Sequence, residues 1–263
     1  MLHTRVVIFC VAVCVAAAAV PSLADEPEKN AADRVRDEAL SQTVGWRPKA
    51  AETTLNHHKS DDVSKSQPYL TAHAFLMAAY GVNQDQDTVK RGLEILNQQV
   101  KRDPTDPIAE YCRGEVLDWL EKPDQARAAW AMARDLAADQ IKKDSRDPTA
   151  HYYRGAALVR LKKPDEAIGS LKKAARFGFD PAMVNFELGL AYLLQERWNP
   201  AKKAFDDVHS VDPRFAHLYF YRGLAWEKLG RKDQMLKDFN QFVALAPNAP
   251  EAKTAMAVLS AMR

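Results

Sequence analysis

The chain from residue 68 onwards has the hydrophobic period of an α-helix. Its clearest stretch places apolar residues at intervals of four, three and four, which puts them on one helix face. These residues are Val89, Leu93, Leu96 and Val100. The pattern predicts a helical pair in this part of the chain.

A repeat of 34 residues follows that pair. Glycines stand at this interval, and residues of matching character come twelve and sixteen positions after each glycine. The sets are Gly155, Ala167 and Leu171, then Gly189, Ala201 and Phe205, then Gly223, Met235 and Phe239, preceded by Gly114, Ala126 and Trp130. Because whole columns recur, we predict a helical repeat.

The first copy is longer than the others. Gly114 lies 41 residues before Gly155, which is seven more than the period. Seven residues make about two helical turns, so the insertion lengthens a helix without turning its apolar face far.

The columns resemble the tetratricopeptide repeat (TPR) family, whose unit is a pair of antiparallel helices. The resemblance covers residues 106–247 and implies an all-α fold, a right-handed superhelical solenoid with four repeats. It makes 68–105 a degenerate repeat or N-terminal cap and 248–263 a C-terminal capping helix. In this unit the glycine lets the first helix approach the second closely.

The first 24 residues have the pattern of a cleavable secretory signal. Arg5 precedes an uncharged run of about 15 residues, too short for the usual membrane span, and Ala24 ends the segment. We expect export to the periplasm or medium and no integral membrane span after cleavage. Cleavage removes Cys10 and Cys14 and leaves Cys112, so no internal disulfide is expected.

Residues 25–67 are rich in charge, Ala, Ser and Thr, and they contain one large aromatic residue, Trp46. We predict a flexible arm. A short helix within residues 30–42 would have too few apolar residues to bury a face alone.

The sequence contains no recognised catalytic motif. The formal net charge of +2 and the mild clustering of lysines give no support for nucleic-acid binding. His57, His58, Asp61 and Asp62 could ligate a metal only if the arm were preorganised, and Cys112 has no histidine paired with it in sequence. We therefore assign no catalytic residue, metal or cofactor. A hydrolase or redox enzyme is the least favoured interpretation.

The TPR resemblance implies that the first helices of the repeats line a concave surface that binds a protein or peptide. The third repeat contains FELGLAYLL, in which Glu187 is the single charged residue, so we predict an apolar groove that something covers. The candidate groove residues are Tyr111, Tyr152, Val159, Met183, Phe186, Leu190, Leu193, Leu194, Phe220 and Leu224, with Arg160, Glu227 and Lys228 at the rim.

Three occupants of this groove remain open. A foreign envelope protein would make the chain a non-catalytic scaffold or adaptor that binds an apolar or aromatic segment, which is the leading interpretation. The chain's own arm would make it autoinhibited, and a second copy would make it a self-assembling structural component of the envelope.

Overall fold

Helix starts follow from proline and aspartate at regular places in the chain. Proline is tolerated in the first turn of a helix, where its missing N–H has no intrahelical acceptor, and it opens the second helices at Pro123 and Pro164. Asp106, Asp147 and Asp180 precede three first helices, and each accepts backbone N–H groups of the turn that follows.

A computed structural model describes residues 31–45, 48–59, 62–82 and 84–262. The predicted signal segment 1–24, Trp46 and Asp61 lie outside the described residues. The helices are α1 Ala31–Val44, α2 Pro48–His57, α3 Gln67–Gly81, α4 Gln86–Arg102, α5 Pro107–Trp119, α6 Pro123–Lys143, α7 Pro148–Arg160, α8 Pro164–Arg176, α9 Pro181–Leu194, α10 Trp198–Val211, α11 Ala216–Lys228, α12 Lys232–Leu245 and α13 Ala252–Ala261, with a 3-10 turn at Asp62–Lys65.

The prediction of an all-α solenoid of helix pairs is confirmed. Helices α5 to α12 pack as four successive pairs, and each pair contacts the next. The described residues contain no strand. The additional seven residues of the first repeat lie in its second helix, where Ala126, Ala133 and Ala137 stay on the buried face of α6.

The glycine column is a steric requirement of each helix pair. A Cβ atom added to Gly189 would lie 2.5 Å from Cε1 of Phe205, and one added to Gly223 would lie 2.5 Å from Cε1 of Phe239. Gly114 and Gly155 contact the equivalent residues of their own pairs, Trp130 and Leu171. The two helices approach closely at this point because the glycine has no side chain.

We expect Gly189→Ala to lower the free energy of unfolding by about 1–3 kcal/mol, because the new methyl group overpacks a buried contact. Gly169 provides the matched control, since it lies in α8 with nothing within 4 Å of an added Cβ. Gly169→Ala should raise the free energy of unfolding by about 0.5–1 kcal/mol through helix propensity. Urea denaturation measures both values. If both substitutions lowered the free energy of unfolding, or both raised it, the steric argument would be contradicted.

Helices α3 and α4 form the predicted pair, but they do not end the solenoid. Helix α3 is buried on most sides because α1 and α2 pack against it in addition to α4 and α5. Gly92 of α4 contacts Ala74 and Ala78 of α3, so this pair has a close-approach glycine on its second helix as well as Gly81 at the end of its first.

The structure differs from the arm predicted for residues 25–67. Residues 31–57 contain α1 and α2, and α1 buries Val35, Ala39 and Leu40. The physical reason is that α1 buries its short apolar face together with α2 and α3, so the face does not have to be buried by one helix alone.

The last helix, α13, packs on α12. Its buried face consists of Ala252, Ala255 and Leu259, whereas Met256 and Met262 are exposed. Residues 248–263, for which we expected a C-terminal capping helix, contain α13.

Candidate partner-binding groove

Helix α1 extends from the first helical pairs to the last repeat. Near its start, Arg36 lies close enough to Asp106 at the beginning of α5 for the two charges to interact. Further along, the hydroxyl of Ser41 donates to Oδ2 of Asp180 at 3.0 Å, just before α9. Gly45, directly after α1, packs against the ring of Phe215 just before α11. The helix thus passes the N-terminal ends of first helices; Asp106, Asp180, Phe215 and His217 define the α1-binding surface.

The C-terminal end of α1 makes backbone contacts with the fourth repeat. The N–H of Ala216 donates to the carbonyl of Gly45 at 2.9 Å. Nδ1 of His217 donates to the carbonyl of Val44 at 3.0 Å. These contacts join residues about two-thirds of the chain apart, since Val44 and His217 are separated by 173 positions.

His217 also contacts the residue that precedes α13. Its Nε2 lies 3.2 Å from Oε2 of Glu251, and the hydroxyl of Tyr221 donates to Oε1 of the same carboxylate at 3.3 Å. Both partners of the imidazole are acceptors, so both ring nitrogens carry protons. Burial opposes this charge, but the charge of Glu251 and the two hydrogen bonds raise the pKa of His217 above its ordinary value.

Arg36 holds the other end of α1. Its side chain is buried and forms ion pairs with two carboxylates of its own helix, Asp33 at 3.0 Å and Asp37 at 2.8 Å. Burial raises the pKa of Asp106, while the nearby charge of Arg36 opposes this rise. The guanidinium is therefore the main compensating charge for a buried carboxyl group at the start of α5.

The predicted groove residue Phe186 lies in the interior. It is 3% exposed, and its ring centroid lies 4.9 Å from that of Phe215, 5.7 Å from that of Tyr221 and 6.0 Å from that of Phe205. This aromatic cluster joins α9, α10 and α11. Phe186 is thus placed to hold the third and fourth repeats together, and it is not open to a partner in this conformation.

The other candidate residues fall into two groups. Most are buried within the solenoid: Tyr111, Tyr152, Val159, Met183, Leu190 and Phe220. Leu193 and Leu224 are partly buried, whereas Leu194 is 42% exposed and Glu227 and Lys228 are exposed. We call Leu194, Leu224, Glu227 and Lys228 the open face, since they lie in the C-terminal halves of α9 and α11, away from the α1-binding surface at the helix starts.

Arg160, which we expected at the rim, lies between three first helices. Its guanidinium contacts Glu115 of α5 at 2.9 and 3.4 Å and Glu187 of α9 at 3.0 and 3.1 Å. Glu187 is 0% exposed. The polar residue within the apolar stretch of the third repeat is therefore one member of a buried ion cluster, and the middle of the first-helix row is charged as well as apolar.

The described residues hold no group of three or more His, Cys, Asp or Glu side chains arranged to bind a metal. The rings of His57 and His58 contact each other edge to face at the end of α2. Cys112 is buried, and burial raises the pKa of its thiol well above the ordinary value. In the part of the chain that the structure covers, no helix combines the length and apolarity needed to cross a bilayer.

Comparison with known proteins agrees with this geometry. A family model described as tetratricopeptide repeat matches residues 113–182 and 186–250, which together make up just over half of the chain. The chain belongs to the TPR family. TPR proteins of this kind generally act as non-catalytic scaffolds for protein or peptide partners.

Solved TPR structures resemble the chain at low sequence identity. TTC0263, a thermophilic TPR protein of Thermus thermophilus, is 16% identical; the match covers 74% of this chain and 100% of that one, with a TM-score of 0.57. YrrB, a TPR protein with an unusual peptide-binding site, is 17% identical over 77% of this chain and 97% of that one, with a TM-score of 0.41. MamA from Desulfovibrio magneticus RS-1 is 18% identical over 67% and 94%, with a TM-score of 0.42. The likeness to TTC0263 shows the TPR fold alone. Curated proteins give no match.

Sequence reasoning missed the α1-binding surface. One signal was present: Asp106, Asp147 and Asp180 stand eight or nine residues before the glycine of their repeat, whereas Asp212 stands eleven residues before Gly223 and does not cap α11. A TPR first helix without its own cap indicates that an acceptor comes from elsewhere. The structure supplies it from Gly45.

Proposed function

We propose that this TPR protein is an exported, non-catalytic interaction scaffold whose first-helix row binds a segment of a partner protein, and that α1 occupies part of this surface when the partner is absent. The observation that carries the proposal is the contact of α1 with the starts of α9 and α11. A helix from outside the repeats already binds there, so the surface has the shape and the hydrogen-bonding groups to accept one.

The way α1 is held favours displacement over permanent attachment. Its buried face contains two large apolar residues, Val35 and Leu40, together with Ala39 and Thr43. Burial of a large aliphatic side chain contributes about 1.5–3 kcal/mol, so a competing segment with comparable contacts could replace α1. This supports the autoinhibited interpretation over one in which the groove is permanently filled.

The open face gives a partner a first point of contact. Leu194 stands five residues after Gly189, as Arg160 stands five residues after Gly155. Because Arg160 points towards α5 and α9, the repeat geometry directs Leu194 to the same side of the helix row. An exposed leucine on the first-helix row supports apolar binding there.

Export is supported by the charge and apolar run of residues 1–24. Mass spectrometry of the protein recovered from its native compartment tests this part. The expected N-terminal residue is Asp25. A mature chain that still begins at Met1 would contradict export by a cleaved signal.

Photocrosslinking from position 194 in the native compartment tests the binding proposal. The control is a crosslinker at Val211, which is 54% exposed at the end of a second helix, α10. We expect one identified protein to be captured from position 194, to bind again when purified, and to be missing at position 211. The same set of adducts at both positions, or none at position 194, would contradict the proposal. Capture of a second copy from position 194 alone would favour self-assembly.

A further inference from the structure

The first turn of α11 receives a hydrogen-bond acceptor from the C-terminal end of α1. The first N–H groups of a helix have no acceptor inside it, and α5, α7 and α9 satisfy one or two of theirs with an aspartate side chain. Helix α11 has no such side chain, and the N–H of Ala216 donates to Gly45. The carbonyl of Gly45, directly after α1, therefore does for α11 what aspartate does for the other first helices.

The glycine at this junction leaves little room for a side chain. An added Cβ at Gly45 would lie 3.2 Å from Cδ2 of Phe215 and 3.3 Å from the carbonyl oxygen of Ser41. The N–H of Gly45 donates to that same carbonyl at 2.9 Å and closes the last turn of α1. A larger residue would move the terminal carbonyls away from Ala216 and His217.

The electrostatics favour a helix C-terminus at this position. The unpaired carbonyls of a helix end carry partial negative charge, and the first turn of a helix carries partial positive charge. The end of α1 meets both the first turn of α11 and the imidazolium of His217. One turn earlier, the side chain of Ser41 donates to Asp180, which fixes the position of α1 along the repeats.

We infer that the partner presents the C-terminal end of an amphipathic α-helix that ends in glycine, with a hydroxyl residue four positions before that glycine. This inference rests on the proposed function and names its partner class. Gly45 and Ser41 hold these positions in α1. The glycine lets the last carbonyls reach α11, and the hydroxyl donates to Asp180.

A synthetic peptide with the sequence of residues 31–45 tests the inference. It is labelled at its N-terminus, and its binding to the full mature chain is measured by fluorescence anisotropy. In the wild type, tethered α1 has an effective concentration in the millimolar range and competes with the peptide. In Leu40→Asp, a charge replaces a side chain that is 1% exposed, which releases α1, so we expect the peptide to bind this variant at least tenfold more tightly.

Peptide variants identify which features are recognised. We expect the Gly45→Val and Ser41→Ala peptides to bind Leu40→Asp at least tenfold more weakly than the parent peptide, because each loses a contact with the repeats. The matched control peptide is Glu38→Gln, because Glu38 is exposed, and it should bind like the parent. Equal binding of the Gly45→Val peptide would overturn the inference, as would failure of the parent peptide to bind a folded Leu40→Asp chain.

A second variant of the full chain keeps the test possible if Leu40→Asp does not fold. Gly45→Val in the full chain disturbs the contact with Phe215 without placing a charge in a buried site, and it should also increase peptide binding. Circular dichroism and a cooperative melt confirm the fold of either variant. If the peptide fails to bind either folded variant while position 194 still captures a partner, the helix-end inference fails and the proposed scaffold function stands.

Discussion

Replacing Arg160 by methionine is expected to lower the free energy of unfolding by about 3–5 kcal/mol, because it leaves a buried charge without its partner. Glu187 has no solvent exposure, and the guanidinium of Arg160 supplies its bidentate contact. Glu115 loses its own contact at the same time. Urea denaturation of both chains, fitted with the same two-state model, measures the change in the free energy of unfolding.

The loss of stability in Arg160→Met should become smaller as the pH falls. Burial already raises the pKa of Glu187 above its ordinary value of 4.5, and Arg160 opposes this rise. Without the arginine the pKa rises further. A carboxyl group with a higher pKa in the folded state favours folding when it is protonated, so the loss should be largest well above that pKa and shrink as pH falls towards 4.5.

Lys203→Met is the control for the loss of a surface ion pair. Lys203 and Asp207 pair across one turn of α10, and both are largely exposed. Removing such a pair should change the free energy of unfolding little, because solvent screens the two charges. If Arg160→Met cost no more than this control, the ion cluster would not be buried as described.

Replacing Phe186 by alanine is expected to cost about 3–5 kcal/mol, the range for removing a buried aromatic side chain. The ring contacts Phe205, Phe215 and Tyr221, so its loss opens a cavity between the third and fourth repeats. The chain should lose stability and, through the displacement of Phe215, loosen the end of α1. Denaturation in urea measures the stability.

Leu194→Ala is the matched control on the same helix. Because Leu194 is 42% exposed, the substitution should change stability by less than about 0.5 kcal/mol. It should weaken partner capture if the open face takes part in binding. A Phe186→Ala chain with wild-type stability but without partner binding would instead support the sequence-based view of Phe186 as a surface residue.

The repeats were predictable because their requirements are local. Gly155 must face Leu171 sixteen residues later, and the same interval returns in every pair, so the columns are visible in one sequence. The buried interior follows from the same columns. Periodicity does not reveal which large side chains the neighbouring repeat buries, and so Phe186 was predicted to line a partner-binding groove although it packs against Phe205, Phe215 and Tyr221.

The α1-binding surface depends on contacts between distant residues. Ser41 and Asp180 are 139 positions apart, and neither belongs to a repeating column that would link them. Arg160 shows the same limit, since its partners Glu115 and Glu187 lie 45 and 27 positions away. From the sequence, a charged residue at the end of a helix is expected to be exposed to solvent. Only the folded structure shows that two carboxylates of other helices surround it.

His217 links the two ends of the described chain. Its ring contacts Val44 at the end of α1 and Glu251 at the start of the last helix. In most solenoids each unit contacts only its neighbours, so the ends fray independently and unfolding spreads repeat by repeat. Here the last repeat cannot fray without also releasing a contact to the first helix. The bond turns a linear stack into a closed loop of interactions, which couples the two ends and favours their unfolding together.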